Sequence, residues 1–210
     1  VRDHGMEAVY RDIDLPLCRV LAQMEHAGIA VDRDTLTAFG AMLSQRIADC
    51  ESLIYGYANG PFNINSTKQL GTLLFETLGL PHGKKTKSGY STNIDVLEGL
   101  RDKHPIIPAI MDYRMLTKLH STYAEGLLKV IGPDGRIHST FQNMVTATGR
   151  LSSTDPNLQN IPVRTELGGE IRKMFVPAPG HVLVDADYSQ IELRVLAHIA
   201  DDQAMQEAFR

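Results

Sequence analysis

Hydrophobic positions after residue 32 fall at Leu36, Phe39, Leu43, Ile47, Cys50 and Ile54. Steps of three and four, sustained over about five turns, describe one narrow stripe on a long helix. Asp32 stands where its N-cap belongs. A helix of this length with so narrow a stripe projects and packs against one antiparallel partner, and residues 106–130 supply the candidate. Upstream, Leu17, Val20, Leu21 and Met24 predict a first helix with Asp14 as cap, Pro16 in the first turn and Gly28 as stop. A short extended stretch, "IAVD", joins the two. Between the long helices, Ser66 and Gln69 form a capping box ahead of a Leu70/Leu73/Leu74/Leu78 face that Gly79 terminates. A glycine-bearing basic loop follows, then a short helix over 94–103 stopped by Pro105.

After Ile131 the texture changes. "GPDG" is a turn, and "RIHSTFQNMV" alternates like a strand. Residues 146–169 form a long polar stretch with little periodicity, a kind of loop that is often functional. "EIRKMFVPAPG" and "HVLVDAD" read as two further strands, and residues 189–209 as a closing helix. The predicted architecture is α+β: a helical projection inserted into a platform of antiparallel sheet and helices, unfinished at Arg210.

Composition is that of an ordinary globular chain, with 43% hydrophobic and 22% charged residues. No apolar run reaches the ~18 residues of a membrane span, and no signal peptide opens the chain. The absence of an initiator Met predicts a piece of something longer. Cys18 and Cys50, both at apolar helix positions, read as reduced core residues. Net charge is −4, unevenly spread. Residues 61–150 hold 11 Lys/Arg against 7 Asp/Glu, while 1–60 and 151–210 each hold 5 against 9. A basic middle between acidic ends suits a polyanion-gripping segment joined to a metal-collecting one; uneven surface charge is the plain alternative.

Three groups of residues could carry chemistry. In "HVLVDADYSQIE" a strand would put Val182, Val184 and Ala186 on one face and Asp185 and Asp187 on the other, with Asp187 at the strand end. A carboxylate there can bind Mg²⁺ and leave positions for phosphate oxygens. Two-metal phosphoryl transfer needs such a group to bridge ions about 3.5–4 Å apart. The alternative is solvated aspartates before a helix that Ser189 and Glu192 open as a capping box. Second, the polar loop supplies Arg150, Asn157, Gln159, Asn160 and Arg164, the donor and acceptor types used at groove edges, or else only a surface loop. Third, Ser66, Thr67 and Lys68 at a helix start, Lys84, Lys85 and Lys87 in the basic loop, and Lys118, Ser121, Thr122 and Tyr123 along a helix could meet phosphates. Each lysine could equally be a solvated surface charge.

Several stretches together resemble family A DNA polymerases of the bacterial polymerase I type. "DYSQIELRVLAH" is similar to that family's first catalytic motif, and "TATGRLSSTDPNLQNIP" to the palm segment preceding it. "FNINSTKQLGTLLFETLGLP", "KKTKSGYST" and "LTKLHSTY" are similar to its thumb. The resemblance implies palm at about 1–30, thumb at about 31–125, palm again at about 126–197 and the start of the fingers at 198–210. It implies that Asp187 binds both Mg²⁺ ions with help from the Tyr188 carbonyl. Glu192 would lie under the incoming sugar and exclude a 2′-hydroxyl, with Ser189, Gln190 and Arg194 near the nucleotide and primer end. Arg150, Asn157, Gln159 and Asn160 would follow the duplex minor groove, and the thumb residues would hold phosphates. Primer–template DNA and a deoxynucleoside triphosphate are the implied partners, with a separate C-terminal half if the protein is naturally split. The implied setting is replication and repair in the bacterial cytoplasm, at the nucleoid. Minor-groove acceptors occur in every base pair, so such contacts test pairing without reading sequence.

The motifs for the nucleotide-binding fingers helix and the second catalytic aspartate are missing from the sequence, as are the acidic motifs of a proofreading exonuclease. The expectation is that this chain alone neither extends a primer nor proofreads. A duplex-binding module without catalysis is the alternative, against which Asp187 and Glu192 argue. A metal-dependent nuclease built on Asp185, Asp187 and Glu192 is the other.

Overall fold

A computed structural model describes residues 2–83, 89–163 and 165–209. It divides into two compact units, 1–176 and 177–210.

After a short helical turn at Arg2–His4, the first unit has widened helical turns over Val9–Asp14 that run without a break into α1, Leu15–Ala27. Asp14 is itself helical and makes no side-chain cap, contrary to the expected helix start. Pro16 has no N–H to give to the turn before it, and the loosened turns lie just there. Of the expected α1 stripe only Leu21 is buried, while Val20 and Met24 stay exposed. Cys18 is exposed too, so it is not a core residue; Cys50 is half-buried, and burial pushes its thiol pKa up.

β1, Ile29–Val31, leads to Asp32, which caps α2, Arg33–Ala58, by accepting the Thr35 N–H at 2.9 Å. Those hydrogen bonds hold the Asp32 carboxyl below its ordinary pKa. The 26 residues of α2 carry the predicted stripe, and it divides between two cores. Leu36, Phe39 and Leu43 join Leu116, Leu119, Tyr123, Leu127, Ile137 and Ile171 in one. Ile54 joins Leu70, Leu74, Leu97, Ile106, Ile110 and Tyr113 in the other, with Ile47 and Cys50 packed against both. The partner is as expected: α5, Ile106–Leu119, continues through wide turns at His120–Glu125 into α6, Gly126–Val130. The far core is closed by α3, Thr67–Gly71, its extension Thr72–Thr77, and α4, Ile94–Gly99, which is shorter than predicted because Leu100 begins a series of turns. Ser66 caps α3, but Gln69 reaches past it to the Asn63 N–H at 2.9 Å.

In sequence, α2 to α6 lie between two paired strands. β2, Arg136–Ile137, runs antiparallel to β1 with Ile29 opposite Ile137, and β5, Phe175–Val176, takes β1's other side with Val31 opposite Phe175. The alternating stretch after β2 breaks at His138 and Ser139, because β3, Thr140–Gln142, pairs with a different strand, β4, Ser152–Thr154. The polar stretch therefore contains a strand, and also the start of α7, Glu166–Lys173, which Thr165 caps. Residues 170–173, expected as strand, are helical: Ile171 turns its side chain into the core as helical spacing requires.

At the joint between α1 and the sheet, the last carbonyls of α1 meet two cationic side chains. Arg136 donates to the Ala27 and Gly28 carbonyls, and His138 bridges the Glu25 carbonyl at 2.7 Å and Asp134 at 3.0 Å. A carbonyl and a carboxylate only accept, so the two contacts favour the ring with a proton on each nitrogen; the Glu25 bond first, then Asp134, raise the His138 pKa. Cations at a helix C-terminus also complement its dipole.

The second unit departs most from expectation. Residues 181–187 form no strand; Val182 and Val184 are 78% and 84% exposed, and no described strand pairs with them. Without a ladder partner an apolar run gains nothing from extension. α8, Ile191–Ile199, begins after Gln190 in a left-handed conformation with no side-chain cap, so the Ser189–Glu192 box does not form. The expected closing helix is two: Asp201 has positive φ, and Asp202 caps α9, Gln203–Ala208, through the Met205 N–H.

Candidate nucleic-acid interface and carboxylate turn

The loop 150–160 is tightly constrained from within. Thr146 Oγ1 donates to the Arg150 carbonyl, and Gln159 Nε2 to the Leu151 carbonyl at 3.0 Å. The Asn157 side-chain oxygen accepts the Gln159 N–H at 2.9 Å. With Oδ1 used inside the loop, what exposed Asn157 offers outward is its amide N–H₂. Arg150 and Gln159 are exposed as well, and because Gln159 spends an amide N–H inside the loop while keeping its oxygen, this face presents both donors and acceptors.

Tyr123 ties the loop to the helical region. It was expected beside Lys118, Ser121 and Thr122 as a phosphate contact, but it is 5% exposed and its hydroxyl donates to the Asn160 carbonyl. Burial raises its pKa, which keeps the proton on the donor. Lys118, Ser121 and Thr122 do lie together on the exposed side of the same turns. Ser66 and Lys68 line a cavity of about 580 Å³ with Asn59, Pro61, Gln69 and Thr77, and Thr67 is exposed next to them. Lys84, Lys85, Lys87 and Arg164 lie outside the described residues.

In the second unit Asp185, Asp187 and Tyr188 are exposed, with Asp187 and Tyr188 directly before the turn that opens α8. A carboxylate and a backbone carbonyl are hard oxygen donors of the kind Mg²⁺ takes while keeping waters or substrate oxygens. Among the described residues no three His, Cys, Asp or Glu side chains converge as a metal-holding group. The donors thus fit in kind but do not make a cage. Arg194 is engaged within its own unit: Nε donates to the Ser189 carbonyl at 3.0 Å, Nη1 to the Phe209 carbonyl at 2.9 Å, and the guanidinium lies over the Phe209 ring. It holds the turn that carries Ser189 and Gln190, and Glu192 is exposed one turn on.

Sequence reasoning missed Ser139 and Ser153, two buried hydroxyls behind the loop. The signal was there: Ser139 interrupts an alternating run, and Ser153 precedes an Asp-Pro turn. It also missed the Arg136–His138 joint, because nothing local shows that α1 ends against β2.

Residues 33–210 match the family described as DNA polymerase family A. The chain is 56% identical over 208 residues to the DNA polymerase I of Caldicellulosiruptor bescii, covering 99% of this chain and 24% of that protein. It is 54% identical over 203 residues to the DNA polymerase I of Bacillus subtilis, covering 96% of this chain and 23% of that protein. It therefore spans about a quarter of the length of these relatives. Among solved structures, the POL domain of an M. smegmatis protein in complex with DNA primer-template and dNTP is similar at a TM-score of 0.87 and 43% identity, over 97% of this chain and 36% of that one.

Proposed function

Because the chain belongs to DNA polymerase family A, we propose that it is a duplex-gripping portion of a DNA-directed DNA polymerase. In this reading 31–125 is the thumb, 1–30 and 126–197 belong to the palm, and the fingers begin at 198–210. The observation that carries the proposal is the exposed face of the loop 150–160, where the Asn157 oxygen accepts the Gln159 N–H inside the loop and its N–H₂ is left to donate. Purine N3 and pyrimidine O2 are acceptors present in every base pair, so such a face grips any correctly paired duplex.

Ser66, Thr67, Lys68, Lys118, Ser121 and Thr122 hold duplex phosphates, and Arg150, Asn157, Gln159 and Asn160 follow the minor groove towards the primer end. Asp187 and the Tyr188 carbonyl hold Mg²⁺. When bound, the metal supplies Lewis-acid stabilisation of the transferring phosphoryl group. Glu192 occupies the space a 2′-hydroxyl would need, favouring deoxynucleotides, while Arg194 fixes the turn through which Ser189 and Gln190 meet the nucleotide. Because the motifs for the fingers helix and the second catalytic aspartate are missing from the sequence, the 210-residue chain by itself binds but does not extend.

The binding half is tested by fluorescence anisotropy of the chain on a labelled primer–template, titrated with salt. Saturable binding whose affinity falls with salt is expected, with Lys68→Ala reducing the log–log slope by about 0.9 as one phosphate contact is lost. Binding that is absent at low salt, or a slope the substitution leaves intact, would count against it.

A further inference from the structure

We infer that Ser139 and Ser153 are positioning residues for duplex recognition: their hydroxyls form a relay that fixes Asn157 with its amide N–H₂ outward. The inference rests on the reading that the loop 150–160 meets the minor groove.

Both serines are buried, 4% and 1% exposed. Ser139 Oγ lies 2.6 Å from Ser153 Oγ and 2.8 Å from the Pro156 carbonyl, with the Thr154 carbonyl at 3.1 Å. Ser153 Oγ is 3.2 Å from the Pro156 carbonyl and accepts the Leu158 N–H at 3.1 Å. Counting protons selects one arrangement that uses each once and takes the shortest contacts. Leu158 N–H donates to Ser153, Ser153 O–H to Ser139, and Ser139 O–H to the Pro156 carbonyl. The relay thus starts on one side of Asn157 and ends on the other. Its base is the sheet, since Ser153 pairs with Phe141 across β3 and β4 and Ser139 directly precedes β3.

Two buried hydroxyls are a costly way to fill space unless fully bonded, and here they are. An apolar pair would fill the volume but leave the Pro156 carbonyl and Leu158 N–H without partners. The loop would then be free to turn Asn157. An Asn157 with its oxygen outward would set an acceptor against the acceptors of the groove, so orientation decides the sign of the contact. Nothing in the relay itself touches DNA.

The test uses the 210-residue chain and two primer–template duplexes, one with ordinary purines and one with 3-deazapurines, whose N3 acceptor is replaced by C–H, at the primer end. The unmodified chain is expected to bind the deaza duplex about 2–10-fold more weakly, the net worth of one hydrogen bond. Asn157→Ala brings that ratio near one. Ser139→Ala is expected to do the same while still melting cooperatively. Ser139→Thr keeps the hydroxyl, and Ser139 lines a cavity of about 310 Å³ beside which a further methyl can be accommodated, so it restores the ratio. An unchanged ratio in Ser139→Ala overturns the positioning role and leaves the groove reading standing. Loss of the cooperative melt in that variant also overturns it, because the serine would then serve the whole fold. A ratio of one in the unmodified chain removes the groove reading and the relay with it.

Discussion

Gly28→Ala should be among the most damaging single-methyl additions to the first unit. Gly28 ends α1 with φ 57° and ψ −176°, a conformation that belongs to glycine. A Cβ there would stand 2.8 Å from the Ile137 carbonyl oxygen and 2.7 Å from His138 Cε1. The carbonyl is fixed by the pairing of Ile29 with Ile137, and the imidazole by its bonds to Glu25 and Asp134. Neither yields without opening the joint. The backbone conformation costs about 1–3 kcal/mol and the overpacking about 1–3 kcal/mol more. In a chain of this size each kcal/mol lowers Tm by about 2–4 °C, so a fall of roughly 5–20 °C is expected. Gly135→Ala is the control: its φ is +75°, but a Cβ there meets nothing within 4 Å. Thermal melts of the two variants, followed by circular dichroism, separate conformation from close approach. If Gly28→Ala melts no lower than Gly135→Ala, the packing at this joint is wrong.

The same joint should respond to pH on both sides. The His138 pKa is raised from 6.5, so the stability its cation contributes is complete below that value and is lost as pH rises through the raised one. A plot of Tm against pH should therefore fall on the alkaline side, and His138→Gln should flatten that limb; parallel limbs would contradict it. The Asp134 pKa is lowered from 3.8, chiefly by the His138 hydrogen bond, so its contribution is present above 3.8 and is lost as pH falls through the lowered value. Asp134→Asn should flatten the acid limb, and an unaltered acid limb would show that the bond contributes nothing there.

What could be read along the chain was what repeats along it. The α2 stripe, its partner at 106–130, the Asp32 and Ser66 caps and the insertion between sheet strands all follow from periodicity and end signals. Failures occurred where a segment's state depends on something distant. "HVLVDAD" has the composition of a strand but no described ladder partner, and 170–173 follows Ile171 into a core that α2 and α5 build. Asp14 looked like a cap because helix starts are marked by local chemistry, while the wide turns before it let the helix begin earlier. The residues nominated for chemistry are mostly exposed, which sequence composition already suggested. The elements that hold them are long-range: Tyr123 to Asn160, Ser139 to Pro156, Arg194 to Phe209. No pattern along the chain announces those pairs.

The central claim is that this segment carries polymerase chemistry, and a chimera tests it most directly. The matching segment of the Bacillus subtilis DNA polymerase I, 54% identical, would be replaced by this chain and primer extension measured with deoxy- and ribonucleotides. The account predicts an active chimera whose extension is lost in Asp187→Ala and whose preference for deoxynucleotides is lost in Glu192→Ala. A folded chimera that still extends primers with Asp187→Ala, or still rejects ribonucleotides with Glu192→Ala, would contradict it.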